Sequence, residues 1–500
     1  MNKQLLRLSV ASIVLLLVLV LATTYWQTWA VAGLQDRQDN AVQAVAQFTV
    51  ARGLIEGSNG QTIFAANRKK KVGGNTLYFR RYPQSGLAAQ TIGYSTTGST
   101  AGLERSLGDF LTGSNQNLSN VFQGTLDRLG GGTVHGDNVV LTLNPAAQRL
   151  AMQQLGGRCG AVVAMNPRTG AILAMASSPT YDPNLLEKPN GYAQILKTKA
   201  PCPYPSPFLN RATAGLWPPG STFKMVTAAA ALDTGTFTPD SRFKDPGYCT
   251  EYGKKVYNSS APDSGAHEVF GNVTLAQGFQ HSINSVYCNV GIKLGAKTIL
   301  EYAKRFGFYS KLPLETPSDE RAASGLYRST KHGNQLWSPG NPDTEVDVGR
   351  LAFGQERMLA SPLQMLLVGA TIANGGVVPR PYIVQRVVGS DGSIISQTQP
   401  QMLGRAIKPE TAAELNQFMQ LVVKGGTGTA AQIPGVTVAG KTGTAETAAN
   451  HVYDAWFVCF APAENPRVAV AVVVENQPNG FGGAVAAPIA KVVLQKLLGG

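Results

Sequence analysis

Residues 161–175 read Ala161-Val162-Val163-Ala164-Met165-Asn166-Pro167-Arg168-Thr169-Gly170-Ala171-Ile172-Leu173-Ala174-Met175. Two apolar runs flank a short turn rich in Asn, Pro and Gly, which is the composition and length of a β-hairpin. Comparable strand signals return only near the C-terminus, at Val436-Thr437-Val438-Ala439, Ala455-Trp456-Phe457-Val458-Cys459-Phe460 and the run from Val468 to Val474. The last two are separated by Pro462-Ala463-Glu464-Asn465-Pro466, and Pro488 is placed to open a terminal helix through about Leu498. Between these ends lies a long, mainly helical middle. Strands at both ends of a segment that bracket a helical centre imply one antiparallel sheet packed against helices, an α+β fold. No internal repeat is evident.

Toward the N-terminus, residues 36–157 mix short strand-like runs with turns such as Gly57-Ser58-Asn59-Gly60, Gly73-Gly74-Asn75 and Gly130-Gly131-Gly132. They read as a smaller, irregular, β-rich domain. Asn138-Val139-Val140-Leu141-Thr142-Leu143, followed by a helical stretch from Pro145 to Leu155, reads as a connector, and the boundary is placed near Gly157. Residues 158–500 form the second domain.

From Leu8 to Trp26 the chain carries no charge, enough to cross about 30 Å of hydrocarbon as a helix. Lys3 and Arg7 precede this run, the next charge is Asp36, and Tyr25, Trp26 and Trp29 lie where an interfacial aromatic belt would fall. The expectation is a cytoplasmic tail at 1–7, a transmembrane helix at 8–28 and everything beyond it outside the cell. A cleaved signal peptide is the alternative, with Ala30-Val31-Ala32 as a small-residue site.

The 500 residues include 55 Gly and 29 Pro, and 43% are hydrophobic against 15% charged, which excludes both disorder and collagen-like repetition. The length suits two or three domains. Forty-three Lys and Arg against 30 Asp and Glu leave +13, a balance that favours an anionic partner. Nucleic acid is not expected, since no basic helix or zinc-knuckle spacing occurs and Arg68-Lys69-Lys70-Lys71 is one short run, read as a solvated loop. The five cysteines (Cys159, Cys202, Cys249, Cys288 and Cys459) are scattered, so no structural metal and no cofactor is expected. In an exported chain they allow one or two disulfides, with at least one thiol left free. No Walker or dinucleotide glycine motif is present.

Chemistry concentrates at Pro218-Pro219-Gly220-Ser221-Thr222-Phe223-Lys224. Met225 to Leu232 is Ala-rich and apolar, so a buried helix is expected whose first turn holds Ser221, with Lys224 three residues on and facing the same side. A buried lysine loses the hydration of its ammonium, its pKa falls, and the neutral amine can serve as base to a serine. A helix N-terminus beside the serine would favour a developing oxyanion. The spacing alone is weak, because Ser241-Arg242-Phe243-Lys244 repeats it in a polar stretch. Two later motifs each occur once: Ser282-Ile283-Asn284 and Lys441-Thr442-Gly443. Singly, Ser282 could be a helix cap and Lys441 a solvated strand end. Together, in that order in an exported chain, the three are much harder to obtain by chance.

On these motifs the sequence resembles the class B penicillin-binding proteins, the peptidoglycan D,D-transpeptidases of the bacterial wall, over nearly its whole length. Arg52-Gly53-Leu54-Ile55 with Asn59-Gly60, and Gly102-Leu103-Glu104, resemble motifs of the family's non-catalytic pedestal, while Asn210-Arg211-Ala212 and Gly354-Gln355 match segments flanking its active site. The pattern is similar to actinobacterial members. Gly57-Ser58 stands where Asp-Arg is usual, and Glu356 where Gly is commoner.

The resemblance implies a penicillin-binding transpeptidase fold at 158–500 on a pedestal, or dimerisation-like, domain at 36–157. Ser221 would be the nucleophile, Lys224 its base, Ser282 the proton shuttle, Asn284 an orienting group, and Lys441 a second charge that lowers the pKa of Lys224. Thr442 and Thr444 would bind the donor's terminal carboxylate, Gly443 would admit the substrate backbone, and the N–H groups of Ser221 and Thr444 would form the oxyanion hole. The implied partners are stem peptides ending in D-Ala-D-Ala, an amine acceptor, β-lactams, and a polytopic membrane glycosyltransferase with other wall-synthesis proteins. The alternatives are a serine β-lactamase, which needs a base for deacylation, and a non-catalytic β-lactam sensor or scaffold.

Overall fold

A computed structural model of the chain describes residues 2–28, 48–72, 75–114, 135–258, 267–331, 333–448 and 451–499. Helix α1 (Asn2–Thr28) contains the apolar stretch, with Leu15, Leu17 and Leu19 exposed. At 1.5 Å per residue it is about 40 Å long, sufficient to cross a bilayer. Trp29, the Ala30-Val31-Ala32 site and Gly130-Gly131-Gly132 lie outside the described residues.

The N-terminal unit is built on a six-stranded sheet. Its own strands are β1 (Ile55–Glu56), β2 (Ile63–Val72), β3 (Asn75–Arg81) and β4 (Asn138–Leu141). The turn from β1 to β2 uses Gly60 at φ 63°, a conformation that glycine adopts without a Cβ clash. The two motifs at 52–55 and 102–104 meet here: Glu104, fully buried, takes Arg52 at 3.0 Å and Arg80 at 2.6 Å. Two readings change. Arg68 to Lys71 is not a loop but part of β2, paired residue by residue with β3. The 138–143 stretch is more than a connector: β4 lies inside the sheet, parallel to β1 and antiparallel to Val384–Val388, with Val139 opposite Val387. Ile394–Gln397 then forms the sheet's outer edge. Residues from far along the chain therefore complete the N-terminal sheet.

Helix α2 (Pro145–Leu155) follows, opened by an Asn144 cap that accepts from the N–H groups of Ala146 and Ala147 and closed by Gly156 at φ 59°. The hairpin appears as β5 (Gly160–Met165) and β6 (Ile172–Ser178). The middle supplies α3 (Lys224–Asp233), α4 (Leu275–Gln280), α5 (Asn284–Leu294), α6 (Pro362–Ala373) and α7 (Pro409–Gly425), together with small hairpins. The chain closes with β7 (Ala439–Ala448), β8 (Val452–Ala461), β9 (Val468–Pro478) and α8 (Gly482–Leu498). These strands and the hairpin form one antiparallel sheet in the order β7-β8-β9-β5-β6.

Both faces of this sheet are covered. Val162, Ala164, Val470 and Val472 pack with Ala147 and Ala151 of α2 and Ile489 and Val493 of α8, whereas Ala161, Val163, Ala471 and Val473 join the core containing Met365 and Leu366 of α6. Burial on two faces is why these strands read as continuous apolar runs rather than alternating ones.

Two boundaries differ from expectation. The strand bearing Lys441 starts at Ala439, because Val436 closes a tight bridge with Ile433 across Gly435 at φ 74°. Helix α8 starts at Gly482, so Pro488 lies inside it. A proline there gives up one backbone hydrogen bond, and the burial of Ala486, Ala487, Ile489 and Ala490 against the sheet holds the helix together. The cysteines pair as Cys159–Cys202 and Cys249–Cys288, and Cys459 is a buried free thiol.

Candidate active site

Ser221 lies not in an α-helix but on a 3-10 turn, Gly220–Phe223, and α3 begins at Lys224. Side chains three apart eclipse on a 3-10 turn, so the Ser-x-x-Lys spacing still places both residues on one side. The chain reaches this turn through Gly220 at φ 50°, which packs on β7 so closely that an added Cβ would stand 3.0 Å from the Thr444 carbonyl oxygen. Gly354, at φ 77°, supports it from the other side. Its carbonyl accepts from Gly220 N–H at 3.2 Å, and a Cβ on it would lie 2.4 Å from the Gly220 oxygen. Ser221 is half-buried, and its hydroxyl makes no hydrogen bond among the described residues.

Lys224 is fully buried. Its Nζ donates to the Ser282 carbonyl at 2.6 Å and to Asn284 Oδ1 at 2.8 Å, and lies 3.3 Å from Ser282 Oγ. Lys441, equally buried on β7, donates to Ser282 Oγ at 2.9 Å and to the Thr442 carbonyl at 3.1 Å. Neither lysine forms an ion pair among the described residues; aromatic rings line them instead. Tyr287 and Phe353 lie 5.3 and 5.8 Å from Lys224 Nζ, and Phe279 lies 5.5 Å from Lys441 Nζ. Burial holds the pKa of Lys224 well below 10.5, and the nearby Lys441 charge lowers it further. Burial brings Lys441 down to about 7. Two buried ammonium groups with no carboxylate beside them among the described residues favour release of a proton, which makes one amine a base and leaves the other able to donate.

Ser282 is not a helix cap. It occupies the turn between α4 and α5 at φ 60°, an uncommon conformation for a serine, and aims its hydroxyl at both lysines. Behind it, the start of α5 is fixed by a buried polar network that the sequence reading missed. Asp245 accepts from Ser285 Oγ at 2.6 Å, from Asn258 Nδ2 at 3.0 Å, and from the N–H groups of Gly247 and Phe270 at 2.8 Å each. Asn258 Oδ1 accepts from Ser285 N–H at 2.9 Å, and the Tyr257 carbonyl accepts from Asn284 Nδ2 at 3.2 Å. The Cys249–Cys288 disulfide joins the same hairpin, residues 248–257, to α5.

Strand β7 is an edge strand, so one row of its backbone groups is not paired within the five-stranded sheet. Thr442 and Thr444 share a face. Thr442 Oγ1 lies 2.5 Å from Thr427 Oγ1, and Thr444 Oγ1 accepts from Gly482 N–H at 3.2 Å. At Gly443 the space a Cβ would need is taken by Pro219 O at 2.8 Å, Thr222 Cγ2 at 2.9 Å and Trp456 Cβ at 3.0 Å. Here glycine lets the Ser221 turn seat on the strand. Gly482 was also missed. A Cβ on it would stand 2.2 Å from Trp456 O and 2.3 Å from Gly443 O. The run Gly480-Phe481-Gly482-Gly483, which straddles the start of the helix, was the available signal.

The structure thus gathers Ser221, Lys224, Ser282, Asn284, Lys441, Thr442 and Thr444 around one turn, one loop and one edge strand. The Ser241 pair is not assembled: Ser241 Oγ accepts from Thr238 N–H, and Lys244 is exposed on a separate strand. Arg211, from the flanking Asn210-Arg211-Ala212, is a buried brace bonded to Glu475 of β9 at 2.5 Å.

Comparison with known proteins gives concordant matches. Residues 160–495 match the penicillin binding protein transpeptidase domain, and residues 52–139 the penicillin binding protein A dimerisation domain. The chain is 35% identical over 521 aligned positions to the peptidoglycan D,D-transpeptidase PbpA of Mycobacterium tuberculosis, covering all of both. Its identity to PbpA of Mycolicibacterium smegmatis is 33%, covering 100% of this chain and 99% of that one. Among solved structures, penicillin-binding protein A of M. tuberculosis as a ceftriaxone acyl-enzyme complex superposes with a TM-score of 0.79 at 32% identity, covering 91% of this chain and 100% of that one.

Proposed function

The chain belongs to the class B penicillin-binding proteins, and from that premise we propose that it is a peptidoglycan D,D-transpeptidase working through a Ser221 acyl-enzyme. The observation that carries this reading is the convergence of two buried lysines, neither in an ion pair among the described residues, on Ser282 Oγ beside the Ser221 turn. Neutral Lys224 takes the Ser221 proton as Oγ attacks the carbonyl between the two terminal D-alanines of a donor stem peptide. The C–N bond breaks, and the proton passes through Ser282 to the departing D-alanine amine while Lys441 donates to Ser282 Oγ. Asn284 holds Lys224 in place. Thr442 and Thr444 bind the donor carboxylate, and the N–H groups of Ser221 and Thr444 receive the oxyanion. An amine of a neighbouring stem peptide then attacks the ester, which forms the cross-link and frees Ser221. β-Lactams enter by the same first step and leave an acyl-enzyme.

A β-lactamase would need a base to activate water. Glu446, the acid closest in sequence to the Lys441 motif, is exposed and paired across the hairpin with Tyr453. Helix α1 fits a single-pass membrane anchor, and Lys3 and Arg7 orient it with the N-terminus inside and the enzyme outside. Glycan polymerisation falls to a separate polytopic membrane glycosyltransferase. The test is covalent labelling by fluorescent penicillin: Ser221→Ala abolishes it on a folded protein, and Ser241→Ala leaves it unchanged. Mass spectrometry after brief penicillin exposure is expected to find an adduct lasting many minutes. Rapid return to the unmodified mass with turnover of the drug would favour the lactamase.

A further inference from the structure

The catalytic reading leaves the basic run of β2 without a purpose. Strands β2 and β3 pair from Ala66 opposite Arg81 to Val72 opposite Asn75. Arg68, Lys69, Lys70, Lys71 and Arg81 are all exposed. Successive strand residues point to opposite sides, so Lys69 and Lys71 stand on one face of the ribbon and Arg68 and Lys70 on the other. One acid answers them, Glu187, 3.5 Å from Arg68, while Lys69, Lys70 and Lys71 form no ion pair among the described residues. Val72, beside them, is 46% exposed. Clustered cations with an adjoining exposed apolar residue suit the boundary between anionic headgroups and acyl chains.

The way the chain enters the domain says which anionic surface is near. Nineteen residues, 29–47, separate the end of α1 from Phe48. Phe48 is fastened to the ribbon itself: its carbonyl accepts from Tyr78 N–H at 2.6 Å, and its ring stacks on Phe79 at 5.1 Å. Twenty residue steps reach at most about 70 Å when fully extended. The ribbon is therefore the part of the folded protein tied most directly to the bilayer.

We propose that the β2–β3 ribbon docks on the anionic phospholipid headgroups of the leaflet from which the folded chain emerges. Docking would set the height and tilt of the domain above the membrane. The inference rests on reading α1 as a membrane anchor.

The test is hydrogen exchange of the full chain in nanodiscs of phosphatidylglycerol or of phosphatidylcholine. Amides of residues 66–81 are expected to exchange about tenfold more slowly in the anionic discs, and the protection is lost in high salt. The triple variant Lys69→Glu, Lys70→Glu, Lys71→Glu should lose the protection while keeping penicillin labelling, which reports that it is folded. Equal exchange in the two lipids overturns the proposal. So does protection in phosphatidylcholine discs by a soluble polyphosphate that matches or exceeds the effect of anionic lipid, since the ribbon would then read a free polyanion. A chain that fails to enter discs overturns the anchor reading and the proposal together. Incorporation without protection overturns the proposal alone.

Discussion

Lys224 and Lys441 are fully buried, and neither meets a carboxylate among the described residues, so folding must strip both of water with little electrostatic return. The sign of the effect follows from the shifts. Between about 7 and 10.5 the unfolded chain keeps a proton on Lys441 that the folded chain has released, so stability rises with pH through that window. Below about 7 both states are protonated and the full cost remains. Lys224 has the same sign, since burial and the Lys441 charge hold its pKa well below 10.5. Lys441→Met is therefore expected to raise the melting temperature near pH 6 by several degrees, and to raise it less near pH 9. Penicillin acylation should fall by orders of magnitude. Thermal unfolding at the two pH values checks this; a lower melting temperature at pH 6 would contradict the burial argument.

The proposed site depends on how three pieces of chain abut: the Gly220–Phe223 turn, the loop between α4 and α5, and β7. Gly482 joins the last of these to α8, with backbone oxygens on two sides of the place where a Cβ would go. Backbone cannot swing aside as a long side chain can, so Gly482→Ala is expected to cost roughly 1–3 kcal/mol and slow acylation. Denaturant melts and acylation rates read the two effects separately. For the loop, the buried Asp245 is the anchor. Asp245→Ala strands the Ser285 hydroxyl and the Asn258 amide, releases the start of α5, and is expected to slow acylation by about tenfold or more, with a loss of about 3 kcal/mol. Asp245→Asn, which keeps an acceptor, should recover part of the rate. Equal rates in the two variants would remove Asp245 from the positioning of Asn284.

The two units share a sheet as well as a linker. Val384–Val388 pairs with β4, and the Gly102 N–H donates to both carboxylate oxygens of Glu320, at 3.0 and 3.1 Å. A fragment covering 158–500 would therefore expose a strand edge that β4 covers in the whole chain. It is expected to aggregate, or to melt well below a fragment starting at residue 48, by light scattering and thermal unfolding. If the shorter fragment were as stable as the longer, the shared strand would carry little of the stability.

The antiparallel sheet was legible in the hairpin at 161–175 and the C-terminal strands, because strands buried on both faces must be apolar throughout and such runs stand out in any sequence. The Ser221, Ser282 and Lys441 motifs were legible because their spacings combine with a rare order, and the apolar run before Trp26 because a bilayer imposes a length. Contacts without a local pattern were not. That Arg68 to Lys71 forms a strand is decided by the partner strand β3, and the cation run itself carries no sign of it. The α-helix begins at Lys224 rather than Ser221 because Gly220 is clasped between Gly354 and Thr444, residues distant in sequence. Gly443 owes its identity to Pro219, Thr222 and Trp456, Gly482 to the backbone of Trp456 and Gly443, and Asp245 to Ser285, 40 residues away. Periodicity and composition record what each segment buries. Which segments meet, and therefore which glycines and buried acids are needed, is set by close packing between parts of the chain that share no local signal.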